Sequence, residues 1–79
     1  MKAQHETSYK SLPILLKQMR MNAGLTQRDL AKLINKRQQF VYLSENSIRR
    51  IDITEFVVWA KACGVNPKTA FANLLKEME

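Results

Sequence analysis

Apolar residues recur at helical spacing along almost the whole of this 79-residue chain. No stretch alternates apolar and polar residues between turn signals, which is the pattern that indicates a β-strand. Only two glycines and two prolines interrupt the pattern, and 46% of the residues are apolar, as is typical of a compact globular chain. The sequence therefore predicts an all-α domain, near the lower limit of size for a chain with one core.

Start and stop signals divide the pattern into five helices that follow a flexible N-terminal arm, residues 1–10. The first helix is predicted to begin with Ser11 as its N-cap and to end at Gly24, which suits a left-handed C-terminal cap. Thr26 and Asp29 have the spacing of a capping box and predict the start of the second helix. The residues expected to face inward from these two helices are Ile14, Leu15, Leu16, Met19, Leu30, Leu33 and Ile34.

The last three helices have signals of the same kind. Asn35 tolerates positive φ and is expected to form a tight turn, followed directly by a third helix over residues 36–45. Asp52 and Glu55 have capping-box spacing before a fourth helix, and the dipeptide Asn66–Pro67 predicts the start of a fifth. The fourth helix carries an apolar stripe at helical spacing, which is Phe56, Trp59, Ala60 and Cys63.

Positive charge is concentrated in the middle of the chain. The net charge is +6 and the sequence pI is about 9.8. Residues 17–50 contain eight basic side chains and two acidic ones, so this segment carries the whole net charge. Such a segment indicates an anionic partner. A solvated basic surface is the alternative that charge by itself leaves open.

Several classes of function are not expected. The single cysteine, Cys63, permits no internal disulfide, and the first ten residues have no apolar core for a secretory signal, so a cytoplasmic protein is expected. No apolar run approaches the ~20 residues that cross a bilayer, so no membrane partner is expected. No His/Cys cluster has the spacing of metal ligands, and no nucleophile has catalytic partners. Neither an enzyme, a cofactor nor a metal site is therefore expected.

The second and third predicted helices, joined by a tight turn, have the layout of a helix-turn-helix. In that motif one helix lies across the DNA backbone, and the next presents its first turns to base edges in the major groove. Ala31 is the small residue expected where the two helices approach, Asn35 lies at the turn, and Val41 is the expected apolar anchor of the second helix.

The stretches "RMNAGLTQRDLAKLIN" and "QQFVYLSEN", followed by "RRIDITEFVVWAKACGVNP", resemble the Cro/repressor-like helix-turn-helix family, also called the XRE-like family. The resemblance covers roughly residues 12–76, and its most specific marks are "GLTQ" with "LA" at its usual offset, then "EN" and "GVNP". It implies a five-helix, lambda-repressor-like DNA-binding domain over residues 11–79. Its expected partners are double-stranded DNA and a second copy of the chain.

The resemblance also implies residue roles. Gln27 corresponds to a glutamine that binds phosphate and supports the recognition helix, and Arg20 with Glu45 to a structural ion pair. The base contacts expected are Gln38, Gln39, Tyr42 and Leu43. The DNA-backbone contacts expected, with the basic side chains beside the motif included, are Gln27, Arg28, Lys36, Arg37, Asn46, Arg49 and Arg50. The dimer interface expected on the fifth helix is Phe71, Leu74, Leu75 and Met78.

Four positions depart from the family pattern. Asn35 stands where the turn glycine is usual, and Arg37 where a Ser or Thr cap is common. Ser44 stands where an apolar residue is usual, and Phe40 where a small residue is common. Phe40 is therefore expected either to turn inward beside Ser44 or to face the groove. A glutamine amide can bind adenine bidentately, which is worth about 1–3 kcal/mol of discrimination, and Leu43 could contact a thymine methyl group.

These features predict a nucleoid-associated transcription regulator, expected to be a repressor that reads a short pseudo-palindromic operator through the helix at residues 36–45. A restriction–modification controller is one variant of this hypothesis. An antitoxin-like or protein-bridging module of the same fold, whose main partner is another protein, remains open. So does general nucleic-acid or RNA binding without operator recognition.

Overall fold

The structure is a computed structural model that describes residues 7–79. This part of the chain forms five α-helices and no β-strand, which confirms the predicted fold class. None of these helices is both long enough and apolar enough to span a membrane. The helices are α1 (Thr7–Asn22), α2 (Gln27–Leu33), α3 (Gln38–Glu45), α4 (Ile53–Ala62) and α5 (Pro67–Met78).

Side-chain caps begin α2, α4 and α5, as predicted. At α2 the Thr26 hydroxyl accepts a hydrogen bond from Asp29 N at 3.0 Å, and the Asp29 carboxylate accepts one from Thr26 N at 3.0 Å. Asp52 and Glu55 form the same reciprocal box at α4, with distances of 2.7 and 2.9 Å. Asn66 caps α5 through its side-chain oxygen. These bonds satisfy N–H groups that the first helical turn leaves unpaired.

Residues with a left-handed backbone conformation lie between the helices. Gly24 and Gly64 have φ of 74° and 75° after α1 and α4, and Asn35 has φ of 58° between α2 and α3, as predicted. Ser47 also lies in this region, with φ of 61°, directly after α3. This conformation is uncommon for serine and was not expected from the sequence.

The predicted start of α1 is wrong. The helix begins at Thr7, so residues 7–10, which were predicted to belong to the arm, are helical, and residues 1–6 lie outside the described part of the chain. Ser11 is inside the helix, where its hydroxyl donates to Glu77 O at 3.0 Å. A tertiary contact favours the additional turn, because the Tyr9 hydroxyl accepts a hydrogen bond from Ile51 N at 3.3 Å.

Three further expectations need correction. Ile14 and Leu33 were predicted to face inward, but they are 58% and 60% exposed. Ile14 lies beside the buried stripe of α1, and Leu33 is the last residue of a seven-residue helix. The third helix starts at Gln38 rather than at residue 36, so Lys36 and Arg37 belong to the connecting turn. Arg37 occupies the N-cap position and has no side-chain capping bond.

The core contains buried residues from all five helices. Trp59 is fully buried, and its indole N–H donates to Leu16 O at 3.1 Å, so its polar atom is satisfied. Val41 of α3 is fully buried in the same cluster. The remaining buried apolar residues are Leu15, Leu16, Met19, Leu30, Ala31, Phe56, Ala60, Cys63 and Ala70. This core fixes the side of α3 that faces the protein.

Candidate nucleic-acid interface

Helices α2 and α3 are joined in a fixed helix-turn-helix geometry. Ala31 is buried where the helices approach each other, and its carbonyl accepts a hydrogen bond from Lys36 N at 2.8 Å. Asn35 reverses the chain at positive φ, and Val41 anchors α3 in the core. The turn at Asn35 and the buried Val41 fix α3 relative to α2. The helix can therefore present one defined face to a ligand.

A buried ion pair joins α1 to the last residue of α3. Arg20 Nε lies 2.6 Å from Glu45 Oε2, and Arg20 Nη2 donates to Glu45 Oε1 at 3.1 Å. Arg20 Nη1 donates to Leu25 O at 2.8 Å. Hydrogen bonding to Glu45 raises the pKa of Arg20 despite its burial. The Glu45 side chain is only 1% exposed, so this pair is part of the structural support of α3 rather than of the surface.

Gln27 extends this pair toward the surface. Its Nε2 donates to Glu45 Oε1 at 3.1 Å, and its Oε1 accepts a long hydrogen bond of 3.5 Å from Gln38 Nε2. The sequence-predicted set Arg20, Glu45, Gln27 and Gln38 is therefore brought together in one chain of contacts. That chain runs from a buried carboxylate to the exposed first residue of α3.

The outward face of α3 is polar and aromatic. Gln38, Gln39 and Tyr42 are exposed, and Tyr42 is 49% accessible. Leu43 is half-buried, so only part of its side chain is available to a ligand. Glutamine amides and a tyrosine on one exposed helical face have the donors and acceptors that reading base edges requires.

Phe40 faces the protein rather than the outward face of α3. Its ring centroid lies 6.3 Å from that of Trp59, and the residue packs against the core. Ser44, which is buried, donates its hydroxyl to Phe40 O at 2.7 Å and so satisfies its own polar group. Phe40 and Ser44 therefore both lie on the side of α3 that faces the core. This arrangement decides the orientation that the sequence left open.

Basic side chains surround the outward face of α3. Arg28, Lys36 and Arg37 are exposed at the start of α2 and in the turn before α3. Asn46 follows α3, and its Nδ2 donates to Tyr42 O at 2.8 Å, which occupies one of its donors. Exposed cations around a polar helical face can bind phosphates and release counterions.

The loop at residues 46–52 holds two arginines in different environments. Arg49 is half-buried and forms an ion pair with Glu55. Arg50 is exposed, with its guanidinium carbon 5.1 Å from the centroid of the Tyr9 ring. Tyr9 was not among the predicted site residues, because it falls in the segment predicted as an arm. An aromatic residue in an otherwise polar segment is the signal that could have identified it.

The predicted dimer residues divide into two groups. Leu74 is half-buried against the domain's own core. Phe71, Leu75 and Met78 are 44–48% exposed on α5. The exposed three, together with Ile53, leave apolar surface on this side of the domain, whereas Leu74 is partly used by the fold itself.

Nothing in residues 7–79 places three or more His, Cys, Asp or Glu side chains where they could hold a metal ion. Burial raises the pKa of the Cys63 thiol to about 11, so the thiol stays protonated at neutral pH. The exposed polar groups nearest α3 include the amides of Gln38 and Gln39 and the cationic groups of Lys36 and Arg37.

Fold and site together define a DNA-binding protein of the helix-turn-helix class. A helix-turn-helix family model matches residues 16–69, which is more than half of the chain. The chain belongs to the Cro/repressor-like (XRE) helix-turn-helix family, whose members are DNA-binding transcription regulators. A comparison with curated protein sequences gave no match.

Several solved structures have the same fold. An XRE-family like protein from Pseudomonas syringae pv. tomato str. DC3000 is 33% identical, with a TM-score of 0.85 over 95% of this chain and 92% of that chain. A point mutant of the restriction-modification controller protein C.Esp1396I is 25% identical, with a TM-score of 0.85 over 92% and 97% of the two chains. The C.Esp1396I tetramer bound to its natural 35-base-pair operator is 26% identical, with a TM-score of 0.79 over 87% and 91%.

Proposed function

We propose that this chain is a repressor that binds a short pseudo-palindromic operator as a homodimer, with α3 in the major groove. The observation that carries the proposal is the division of α3 into two faces. Val41, Ser44 and Glu45 are buried, while Gln38, Gln39 and Tyr42 are exposed. A helix fixed in this way on one side and polar on the other has the geometry that sequence readout needs.

Gln38 and Gln39 are the proposed base readers. Each amide has a donor and an acceptor side by side, which match N7 and N6 of adenine in the major groove. Gln38 also has its amide directed by Gln27, at 3.5 Å. Tyr42 can donate or accept one further hydrogen bond, and the exposed part of Leu43 can contact a thymine methyl group. These four residues form the proposed base-contacting set.

Phosphate contacts are assigned to the residues around the outward face of α3. Arg28, Lys36 and Arg37 supply full positive charges at its edge. Each phosphate neutralised by such a side chain releases condensed counterions, so affinity falls as salt rises. Gln27 and Asn46 are proposed to donate amide N–H groups to phosphates. Contacts of this kind fix the position of α3 on the duplex without reading its sequence.

A second copy of the chain is the proposed partner of α5. Phe71, Leu75 and Met78 are apolar and exposed there, with the half-buried Leu74 beside them. A twofold dimer places two recognition helices about one helical turn, ~34 Å, apart, which gives a pseudo-palindromic site. The related controller protein C.Esp1396I binds its operator as a tetramer. Sedimentation of this chain is expected to show dimers, and a complex only with an unrelated protein would favour the protein-bridging alternative.

Repression is proposed because it requires only occupation of the DNA. Two bound copies would cover about two turns of duplex, which is enough to exclude another protein from that segment. Activation requires an additional contact with the transcription machinery. Transcription in vitro from a promoter that contains the selected operator is therefore expected to fall as the chain is added, and a rise would contradict the repressor assignment.

Direct competition tests the DNA-binding part of the proposal. A duplex selected from a random library, a scrambled duplex of the same length and an RNA hairpin are competed for the protein at several salt concentrations. We expect the selected duplex to bind at least about 10³-fold more tightly than the scrambled one. Affinity should fall by about 10³-fold or more between ~50 and ~200 mM salt if about six phosphates are contacted. Equal binding of RNA and both duplexes would favour general nucleic-acid binding instead.

A further inference from the structure

We infer that the two adjacent arginines of the 46–52 loop have different tasks in DNA binding. Arg50, supported by the ring of Tyr9, contacts a DNA phosphate, and Arg49 is a positioning residue that fixes the loop against α3 and α4. The inference rests on the proposed DNA-binding function. From the sequence, both arginines were expected to contact the DNA backbone. The inference assigns that contact to Arg50 only, and it adds Tyr9, in the first turn of α1, to the DNA-binding surface.

The charge of Arg49 is already paired within the protein. Its Nη1 and Nη2 donate to the two carboxylate oxygens of Glu55, each at 3.1 Å, and Nη1 also donates to Arg50 O at 2.7 Å. This is the bidentate geometry in which arginine binds a carboxylate most strongly. The Glu55 side chain is 17% exposed and the Arg49 side chain is 40% exposed, so solvent screens the pair in part.

Arg49 also covers Phe40. Its guanidinium carbon lies 4.5 Å from the centroid of the Phe40 ring, and the Lys36 ammonium lies 5.2 Å from the same centroid. The ring in turn packs near Trp59. Cation–π contacts of this kind stabilise the orientation of both partners. Arg49 therefore connects the start of α4 to the core-facing side of α3, which is a structural position rather than a ligand-binding one.

Moving Arg49 to a phosphate would disrupt the start of α4. Glu55 Oε1 accepts hydrogen bonds from Asp52 N, at 2.9 Å, as well as from Arg49. Without Arg49 the half-buried Glu55 carboxylate would lose its counter-ion and two charge-assisted hydrogen bonds. Arg49 thus contacts three partners, which are the Glu55 carboxylate, the Arg50 carbonyl and the Phe40 ring. Moving its guanidinium to a phosphate would break these stabilising contacts.

Arg50 has the opposite environment. Its guanidinium lies over the Tyr9 ring, and within residues 7–79 no carboxylate lies within ion-pair distance of it. The ring restricts the arginine without neutralising its charge, which lowers the entropy that phosphate binding would cost. The Tyr9 hydroxyl accepts from Ile51 N at 3.3 Å, so the same side chain also holds the backbone next to Arg50.

The salt dependence of binding distinguishes the two tasks. The affinity for a selected duplex is measured between ~50 and ~200 mM salt for Arg50→Gln and Arg49→Gln, with thermal unfolding as a check on folding. One phosphate contact contributes about −0.9 to the slope of log affinity against log salt, or about a 3.5-fold change over this range. Arg50→Gln should therefore reduce the salt-induced loss of affinity by about 3.5-fold, and Arg49→Gln should leave that loss unchanged while weakening specific binding.

Variants of Tyr9 test the support of Arg50. Tyr9→Leu should weaken binding about threefold or more in the parent chain, and should have no further effect in the Arg50→Gln chain, because the two side chains act together. Tyr9→Phe keeps the ring and removes the hydroxyl, so it separates the contact with Arg50 from the hydrogen bond to Ile51.

If Arg49→Gln prevents folding, Arg49→Lys keeps the charge without the bidentate geometry and should retain the parent slope.

The inference is overturned if the Arg49 variants flatten the salt dependence as much as Arg50→Gln does. It is also overturned if Tyr9→Leu and Arg50→Gln have independent, additive effects. Failure of the proposed function has a different signature, because the parent chain itself would then show no salt-dependent preference for any duplex.

Discussion

Gln27 joins the buried Glu45 carboxylate to Gln38, the first residue of α3. Its amide nitrogen lies 3.1 Å from Glu45 Oε1, and its amide oxygen lies 3.5 Å from Gln38 Nε2. A carboxylate only accepts hydrogen bonds, so Glu45 decides which end of the Gln27 amide faces inward. The amide oxygen is then left to orient Gln38. A buried charge thereby determines the orientation of a surface side chain.

Replacing Gln27 should therefore affect specific DNA binding more than folding. Gln27→Ala removes both contacts, and we expect about a tenfold loss of affinity for a selected duplex, as for a hydrogen bond to a charged group. Affinity for scrambled duplex should fall less, because that duplex loses the proposed phosphate contact of Gln27 but gains nothing from the orientation of Gln38. The measurement is fluorescence anisotropy on both duplexes, with Gln18→Ala, an exposed glutamine of α1, as the matched control. Equal losses on both duplexes would contradict an orienting role.

Breaking the Arg20–Glu45 pair should affect folding strongly. Glu45→Gln leaves the buried guanidinium without a counter-charge, and removal of one partner from such a pair costs about 3–5 kcal/mol. Urea unfolding should show this fall in the free energy of unfolding. Glu77→Gln, at an exposed position of α5, should change it by less than about 0.5 kcal/mol. A loss below about 1 kcal/mol at Glu45 would show that the pair adds little to stability.

Gln39 and Arg37 should respond differently to substitution. Gln39→Ala is expected to cost about 1–3 kcal/mol at one base position and to relax specificity there. Arg37→Gln should weaken all duplexes alike and reduce the salt slope by about 0.9. Binding to a set of duplexes with single base changes separates the two outcomes. A uniform loss for Gln39→Ala would identify it as a backbone contact.

Ser47 offers a stabilising substitution. Its φ of 61° is a left-handed conformation that costs a non-glycine residue about 1–2 kcal/mol. Ser47→Gly removes this strain but adds entropy to the unfolded chain, so a net gain of about 0.5–1 kcal/mol is expected. Ser47→Ala keeps the strain and should give no gain. Thermal unfolding measures both, and equal stability of the two variants would show that the loop relaxes.

Acid should destabilise the fold through its helix caps. The N–H of Thr26 lowers the pKa of Asp29, and the N–H of Glu55 lowers that of Asp52. Burial acts to raise the pKa of Glu55, but hydrogen bonds from Arg49 and the Asp52 backbone outweigh it, so its pKa is also lowered. Groups with lowered pKa stabilise the fold above their ordinary values, near 3.8 for aspartate and 4.5 for glutamate.

That stabilisation is lost as pH falls through the folded-state values. The free energy of unfolding should therefore be nearly constant from about pH 7 to 6 and should decrease below about pH 4.5. Asp52→Asn keeps a capping side chain that does not titrate, so its acid loss should be shallower than that of the parent chain. If the free energy of unfolding falls equally with pH in both chains, the Asp52 cap does not contribute to the acid destabilisation.

The sequence predicts best what local contacts determine. The caps at Thr26, Asp52 and Asn66 and the turn at Asn35 all depend on residues within a few positions, and the structure confirms each of them. The buried position of Val41 was expected from the helix-turn-helix layout. These features were sufficient to define the helix-turn-helix and its outward face.

Long-range contacts account for what was missed. The earlier start of α1 depends on Tyr9, which meets Ile51 42 residues later in the chain. The orientation of Phe40, for which the sequence left two alternatives, depends on its contact with Trp59 of α4. Neither contact leaves a pattern within one helix. The different environments of Arg49 and Arg50 likewise arise from partners on α4 and α1, so adjacent identical residues could not be distinguished from sequence.

Selection of bound duplexes from a random library tests the central claim most directly. If α3 reads bases as part of a twofold dimer, the selected sites should be pseudo-palindromic, with half-sites about 10 base pairs apart from centre to centre. The Gln39→Ala chain, selected in parallel, should lose preference at one position in each half-site. Selected sequences with no shared motif, or a motif that Gln39→Ala leaves unchanged, would contradict base reading by this helix.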